Sequence, residues 1–381
     1  MTASLTVIIL DEGTFASDSG SSLSTLREAI CLRNIEHALA LPMHEARVLL
    51  VSNNNHLAAL ASTLGARVHV PHAKGSSISS VLDLLPQGQA GDPVLVLQGG
   101  MLPLLCSEDW DLLDSLLRSN PNAAYTNSFE NPTMVGWSPA CSLAGNVSPT
   151  GDGVFSTHFL NNFPLPVHAL PYTPGYQFTL EAMPDALLLQ SVLHASDPLL
   201  RVVNEVPYRS TNIDIVRDML TVKGIKLWIS GRIHGSTVEY MNTKLNIRIR
   251  AIIDQHSAMN NPSLGYMRSF AGQYIEKSGL SQFIRVVEES ADCAVLDIEP
   301  LCAHFRVAPS AHDLFMSSVG EGESIENSWL QEFTHAIVEA RIPIILGGHN
   351  LVQGGLLALV DASRYRRRAM SISKEGVECT L

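Results

Sequence analysis

Short apolar runs alternate with amphipathic stretches of helical period along most of the chain, the pattern of a parallel sheet wrapped by helices. Apolar runs predict buried strands at Leu5–Leu10, Arg47–Ser52, Arg67–Val70, Val94–Leu97 and Ala123–Tyr125. Helices are expected between them at Leu26–Leu39, His56–Leu64, near Ile78–Leu85, and at Glu108–Arg118. Gly65 stands where a helix ending in a left-handed residue needs it. From about Asn127 to Pro184 the pattern loosens, as Pro132, Pro139, Pro149, Pro164, Pro166, Pro171 and Pro174 break any helix. Apolar and aromatic residues stay frequent there, which suits an irregular lid or substrate-side insertion better than a linker.

A second series opens at Ile225. It comprises strand Ile225–Ser230, the turn Gly231-Arg-Ile-His-Gly235, a helix whose start Ser236-Thr-Val-Glu239 has capping-box spacing, and strand Ile247–Ile253. Helices near Leu264–Lys277 and Gln282–Glu289, strand Cys293–Leu296, a long helix Ile325–Glu339, strand Ile342–Leu346 and helix Leu351–Ala362 follow. On the long helix Ile325, Trp329, Phe333 and Ile337 recur every fourth position, and Leu330 and Val338 widen the stripe into a core-facing surface. The reading is a two-domain α/β protein, both domains Rossmann-like, divided at about 1–222 and 223–381.

Composition narrows the function classes. The 381 residues are 46% apolar, enough for two cores. With 25 Lys+Arg against 37 Asp+Glu the formal charge is -12, so there is no general basic surface and nucleic acid is not an expected partner. The run Arg364-Tyr-Arg-Arg-Arg368 reads as a solvated tail. Six cysteines are scattered without a CxxC pair, which suits a reducing cytoplasm and indicates neither zinc nor a disulfide framework. Leu5–Leu10 is too short for a signal sequence and no apolar run reaches membrane-spanning length, so no membrane partner is expected.

Candidate chemistry gathers at strand ends. Val94-Leu-Val-Leu-Gln-Gly-Gly-Met-Leu-Pro-Leu-Leu105 reads as a buried strand, a tight turn and then an acid-started helix. The loop from Asp11 to Gly20 carries three acids and no base before Arg27. In the second series the turns Gly231–Gly235 and Gly347-Gly-His-Asn350 follow expected strands, where amides at a helix N-terminus can hold a phosphate or carboxylate. Arg232 would supply the countercharge and His349 or Asn350 a directional hydrogen bond, which points to an anionic ligand. Tight turns without a ligand are the alternative, since paired glycines meet positive-φ demands on their own. Asp297 to His304 and His312-Asp313 lack metal-site spacing, and no nucleophile elbow occurs.

The first 220 or so residues resemble the nucleotidyltransferase branch of the GT-A fold, in the style of molybdenum-cofactor guanylyltransferases and phospholactate guanylyltransferases. The matching pieces are the opening strand, the helix after a polar loop, Leu49–Val51 with Gly65-Ala-Arg-Val68, Val94–Leu105, and Asn212-Ile-Asp-Ile-Val-Arg-Asp218. The resemblance implies Mg²⁺ held by carboxylates, with Asp214 and Asp152 as metal ligands, and Arg27 meeting a phosphate. It also implies a metal-binding Asp at the turn after Val94–Leu97, where this chain has Met101. A thioether cannot replace a carboxylate on a hard cation. Three readings stay open: a divergent nucleotidyltransferase moving NMP onto a phosphorylated small molecule in cofactor or sugar-nucleotide metabolism, a non-catalytic protein of that fold used for binding or assembly, and an enzyme whose site lies in the second domain. The sequence leaves the oligomeric state open, a homo-oligomer included.

Overall fold

The computed structural model describes residues 4–11, 22–41, 47–71, 91–140, 154–254 and 268–365. Asp152, the loop beyond Asp11 and the expected helix at 78–85 lie outside them. The chain divides into two compact units, Met1–Leu180 and Glu181–Leu381. Among the described residues no helix is long and apolar enough to cross a membrane.

In the first unit the elements run β1 (Thr6–Leu10), α1 (Ser22–Leu39), β2 (Arg47–Val51), α2 (Asn55–Leu64), β3 (Arg67–His69), β4 (Val94–Gln98), α3 (Ser107–Ser119), β5 (Ala123–Thr126), β6 (Met134–Ser138), α4 (Thr157–Asn161), β7 (Val167–Ala169) and α5 (Pro174–Gln177). The strands form one sheet in the order β3-β2-β1-β4-β6-β5-β7. β1 pairs in parallel with β2 and β4, placing Thr6 opposite both Arg47 and Val94. β6 runs antiparallel to both β4 and β5. Alternate residues of β1 and β4 feed two cores: Val7, Ile9, Leu95 and Leu97 pack with Cys31, Ile35 and Trp110, while Ile8, Val94 and Val96 pack with Trp137 and Phe159. Both faces of the sheet are therefore covered, which is why these strands read as unbroken apolar runs. Gly65 closes α2 at φ 105, as its position required.

Strand β6 falls in the stretch expected to be irregular. Pro132 and Pro139 flank it, all five of its residues are buried, and Gly136 lies against Leu117, so neither alternation nor flanking pattern marked it.

The second unit begins with α6 (Met183–Val192), α7 (Leu199–Val203) and α8 (Thr211–Met219). The expected boundary near 222 would have left these helices in the first domain. α8 instead packs on the second sheet, and Asn212 Nδ2 donates to Ile344 O at 2.9 Å. Then come β8 (Lys226–Gly231), α9 (Gly235–Lys244), β9 (Arg248–Ile253), α10 (Phe270–Ser278), α11 (Leu280–Ser290), β10 (Cys293–Asp297), α12 (Glu299–Phe305), α13 (Ala311–Val319), α14 (Ser328–Val338) and β11 (Ile344–Gly347). A π-helical turn, Leu351–Gly355, leads into the last helix, 356–365. The sheet is wholly parallel, in the order β11-β10-β8-β9.

Two local expectations shift. α9 starts at Gly235 with the His234 ring accepting from Ser236 N, so Ser236 lies inside the helix and the expected capping box does not form. α14 starts at Ser328, capped by Asn327, and buries Leu330, Phe333, Thr334 and Ile337. Val338 is 58% exposed. Strict fourth-residue spacing drifts around a helix of 3.6 residues per turn, so the buried face follows three- and four-residue steps. Trp329 is half-buried and stacks on Phe333 with ring centroids 5.3 Å apart.

Candidate functional site

In an open α/β sheet ligands collect outside the carboxyl ends of the strands where strand order reverses. In the first unit that point lies between β1 and β4, because the chain steps outward through β2 and β3 and then returns to the other side of β1. Asp11 stands at the end of β1 and the turn Gly99-Gly100-Met101 at the end of β4.

Helix α1 is pressed against this turn. A Cβ on Gly99 would lie 2.5 Å from Ile9 Cγ2 and 2.6 Å from Cys31 Sγ, and one on Gly100 would lie 2.9 Å from Arg27 Cβ. Only glycines allow that approach. The buried Asn34 side chain donates to Gly99 O at 2.9 Å and Leu102 O at 3.3 Å, fixing the turn from below. Arg27 Nη2 donates to Leu180 O at 3.4 Å, and Leu180 N donates to Met101 O at 2.8 Å. Arg27 and Met101 are thus joined through one residue's main chain. Ser52 Oγ donates to Asp11 Oδ2 at 2.5 Å and accepts from Asn54 N at 2.9 Å, while Asn54 Nδ2 reaches Glu28 Oε1 at 2.8 Å. Sequence reasoning missed this polar chain. Its one signal was the Asn run before α2, where Asn54 serves as N-cap.

Of the two expected metal ligands, Asp152 lies outside the described residues and Asp214 belongs to the second unit. Asp214 lies in the first turn of α8 in the other unit, where Arg209 Nε at 3.0 Å and Arg217 Nη1 at 2.8 Å hold its carboxylate. Burial alone would raise its pKa, but the two guanidiniums outweigh burial and hold it below the usual range. Among the described residues no group of three or more His, Cys, Asp or Glu side chains is placed to hold a metal ion.

In the second unit the turns Gly231–Gly235 and Gly347–Asn350 stand at the same end of the sheet, since β8, β10 and β11 are parallel. Order reverses between β8 and β10. Gly231 has φ +135, and a Cβ there would lie 2.2 Å from Asp297 Cβ, so the β8 end fits only against bare backbone. Arg232 is not turned toward a ligand as a spare cation. Its Nε donates to Asp297 Oδ2 at 2.7 Å, one Nη2 contact reaches Asp297 Oδ1 at 3.0 Å, and another reaches Glu299 Oε2 at 2.7 Å. Two carboxylates face one guanidinium, so this spot carries no surplus positive charge for the expected anion. Burial raises the pKa of Glu299 although Arg232 opposes the shift, and burial also raises that of Asp254 at the end of β9, whose carboxylate accepts from Ser269 Oγ at 2.9 Å. Gly348 lies against Glu299, with 2.7 Å between its would-be Cβ and Oε1. Asn350 is buried and points inward, donating to Asp185 Oδ1 at 2.8 Å, while His349 is partly buried beside it.

The chain matches no protein-family profile and no curated protein. Solved structures that resemble it include a cytidylyltransferase from Leptospira borgpetersenii serovar Hardjo-bovis, with TM-score 0.37 and 14% identity over 54% of this chain and 94% of that one. A protein from Desulfovibrio desulfuricans described as a nucleotide-diphospho-sugar transferase has TM-score 0.36 and 11% identity over 54% of this chain and 95% of that one. Likenesses at this level add nothing on substrate or reaction. The first unit is GT-A-like by its own strand order: a Rossmann-like half, β3-β2-β1-β4, continued by the reversed strand β6.

Proposed function

We propose that this is a nucleotidyltransferase-fold protein whose first unit binds an anionic or nucleotide small molecule without transferring a nucleotidyl group through a metal at the strand-end turn. The observation that carries the reading is the turn after β4. There a thioether, Met101, stands where the resemblance implies a metal carboxylate, and the turn's backbone is already tied to Leu180 and Asn34. Mg²⁺ is a hard cation that takes oxygen ligands, the Met101 thioether offers it none, and among the described residues no group of three or more His, Cys, Asp or Glu side chains is placed to hold it. Arg27, at the turn's edge, is the cation assigned to meet a phosphate.

NMP transfer onto a phosphorylated acceptor would require Mg²⁺ to offset charge on the α-phosphate and the leaving pyrophosphate. A thermal-shift screen of the four ribonucleoside triphosphates on the full chain, in Mg²⁺ and in EDTA, separates the readings, because a ligand that binds only the native state raises its stability. The expected result is a small shift equal in both buffers and lost in Arg27→Ala. A large shift that appears only with Mg²⁺ overturns the proposal in favour of an active nucleotidyltransferase.

A further inference from the structure

Asp185 is a buried carboxylate in the second unit that the proposed function does not use. It sits in the first turn of α6, where Oδ2 accepts from Glu181 N and Ala182 N, both at 2.8 Å. Its other oxygen, Oδ1, accepts from Asn350 Nδ2 at 2.8 Å and so ties α6 to the turn that follows β11. Asp185 is 7% exposed and Asn350 5%. Beside the carboxyl lies a cavity of about 10 Å³, room for a single water, lined also by Pro184, Ile213, Ser318, Leu346 and Gly347.

The surroundings do not favour a charge. α8 contributes Ile213 to the cavity wall, α13 Ser318, β11 Ile345 to Gly347 and the π-helical turn Leu351, all uncharged. The turn contributes the neutral Asn350 amide, with His349 next to it in the chain. The charged group acting on Asp185 is Glu181, of like sign. A carboxylate buried without a cation takes up a proton more readily than one in water.

We propose that Asp185 is a proton-operated latch on the Gly347–Asn350 turn: ionised, it holds the Asn350 amide by its nitrogen, and on taking a proton from solvent it releases or inverts that amide. The chemistry follows from which oxygen is occupied. Oδ2 already accepts from two backbone N–H groups, so the proton goes to Oδ1, which then becomes a donor. A carboxylic hydroxyl is a much weaker acceptor than a carboxylate oxygen, so the bond from Asn350 Nδ2 weakens and the tie either breaks or reforms with the amide turned over and its carbonyl accepting. The turn meets Glu299 through Gly348, so the latch acts on the strand-end edge that carries Arg232. Burial, reinforced by Glu181 and opposed by the three N–H donors, pushes the Asp185 carboxyl up to about 7.

The test is side-chain amide NMR of the full chain between pH 5 and 9, with the Asn350 signals assigned by their loss in Asn350→Ala. The Asn350 ¹⁵N resonance is expected to move with a midpoint within about one unit of 7, and to stay still in Asp185→Asn. A resonance that is flat across this range in the folded protein, or one that still titrates in Asp185→Asn, overturns the proposal. If Asp185→Asn does not fold, Asn350→Ala gives the second reading through the ¹³C signal of the Asp185 carboxyl. Losing one donor to the ionised form should raise its midpoint, and an unchanged midpoint overturns the proposal.

Discussion

Replacing Arg232 by Met leaves the Asp297 carboxylate, whose side chain is 0% exposed, with two backbone donors among the described residues, Arg232 N and Glu299 N, each at 3.2 Å. A buried charge stripped of its partner costs about 3–5 kcal/mol, and the absence of solvent at Asp297 places this variant toward the upper half of that range. The reverse change is milder. Asp297→Asn keeps the shape that Gly231 requires, and the guanidinium retains Glu299, which is 39% exposed and can draw on water. A cost of about 2 kcal/mol is expected for it. In Arg232→Met/Asp297→Asn no lone charge remains, so the double variant should fall short of the sum of the singles by about 2 kcal/mol. Because the chain holds two units, a global melt would mix them. Urea titration read by hydrogen exchange in peptides spanning β8 and β10 isolates the relevant sheet. If Arg232→Met costs less than about 1 kcal/mol, or the two changes simply add, the pair does not hold the edge together as described.

Phe333→Ala should cost about 3–5 kcal/mol by the same readout in α14, since Phe333 is fully buried and loses its stack with Trp329. Stability should also depend on pH through Asp185. Its folded pKa, about 7, lies above the ordinary aspartate value of 3.8, so its contribution is complete below about pH 4 and is lost as pH rises through 7. The difference in unfolding free energy between wild type and Asp185→Asn should therefore change by up to about 4 kcal/mol between pH 4 and 8, with wild type losing ground as pH rises.

The parallel strands were legible because strands buried on both faces leave continuous apolar runs, as β1 and β4 do. β6 was not, because its prolines and Gly136 imitate a loop and its burial depends on the reversed pairing with β4. The grouping of α6 to α8 was hidden for a related reason: their apolar faces do not say which sheet they cover. At the sites, sequence placed both glycine turns of the second unit at one sheet edge. It could not foresee that Asp297 and Glu299, some 65 residues further along the chain, would occupy Arg232, or that Asn350 would turn inward to Asp185. Asp214 showed the same limit, since the arginines that hold it are ordinary surface-pattern residues until the helix brings them together.

The central claim concerns the first unit, and calorimetric titration of the full chain with CTP and GTP, in Mg²⁺ and in EDTA, tests it most directly. The account predicts dissociation constants no tighter than about 100 μM, or roughly −5.5 kcal/mol, with little difference between the two buffers. Low-micromolar binding that requires Mg²⁺ would contradict it.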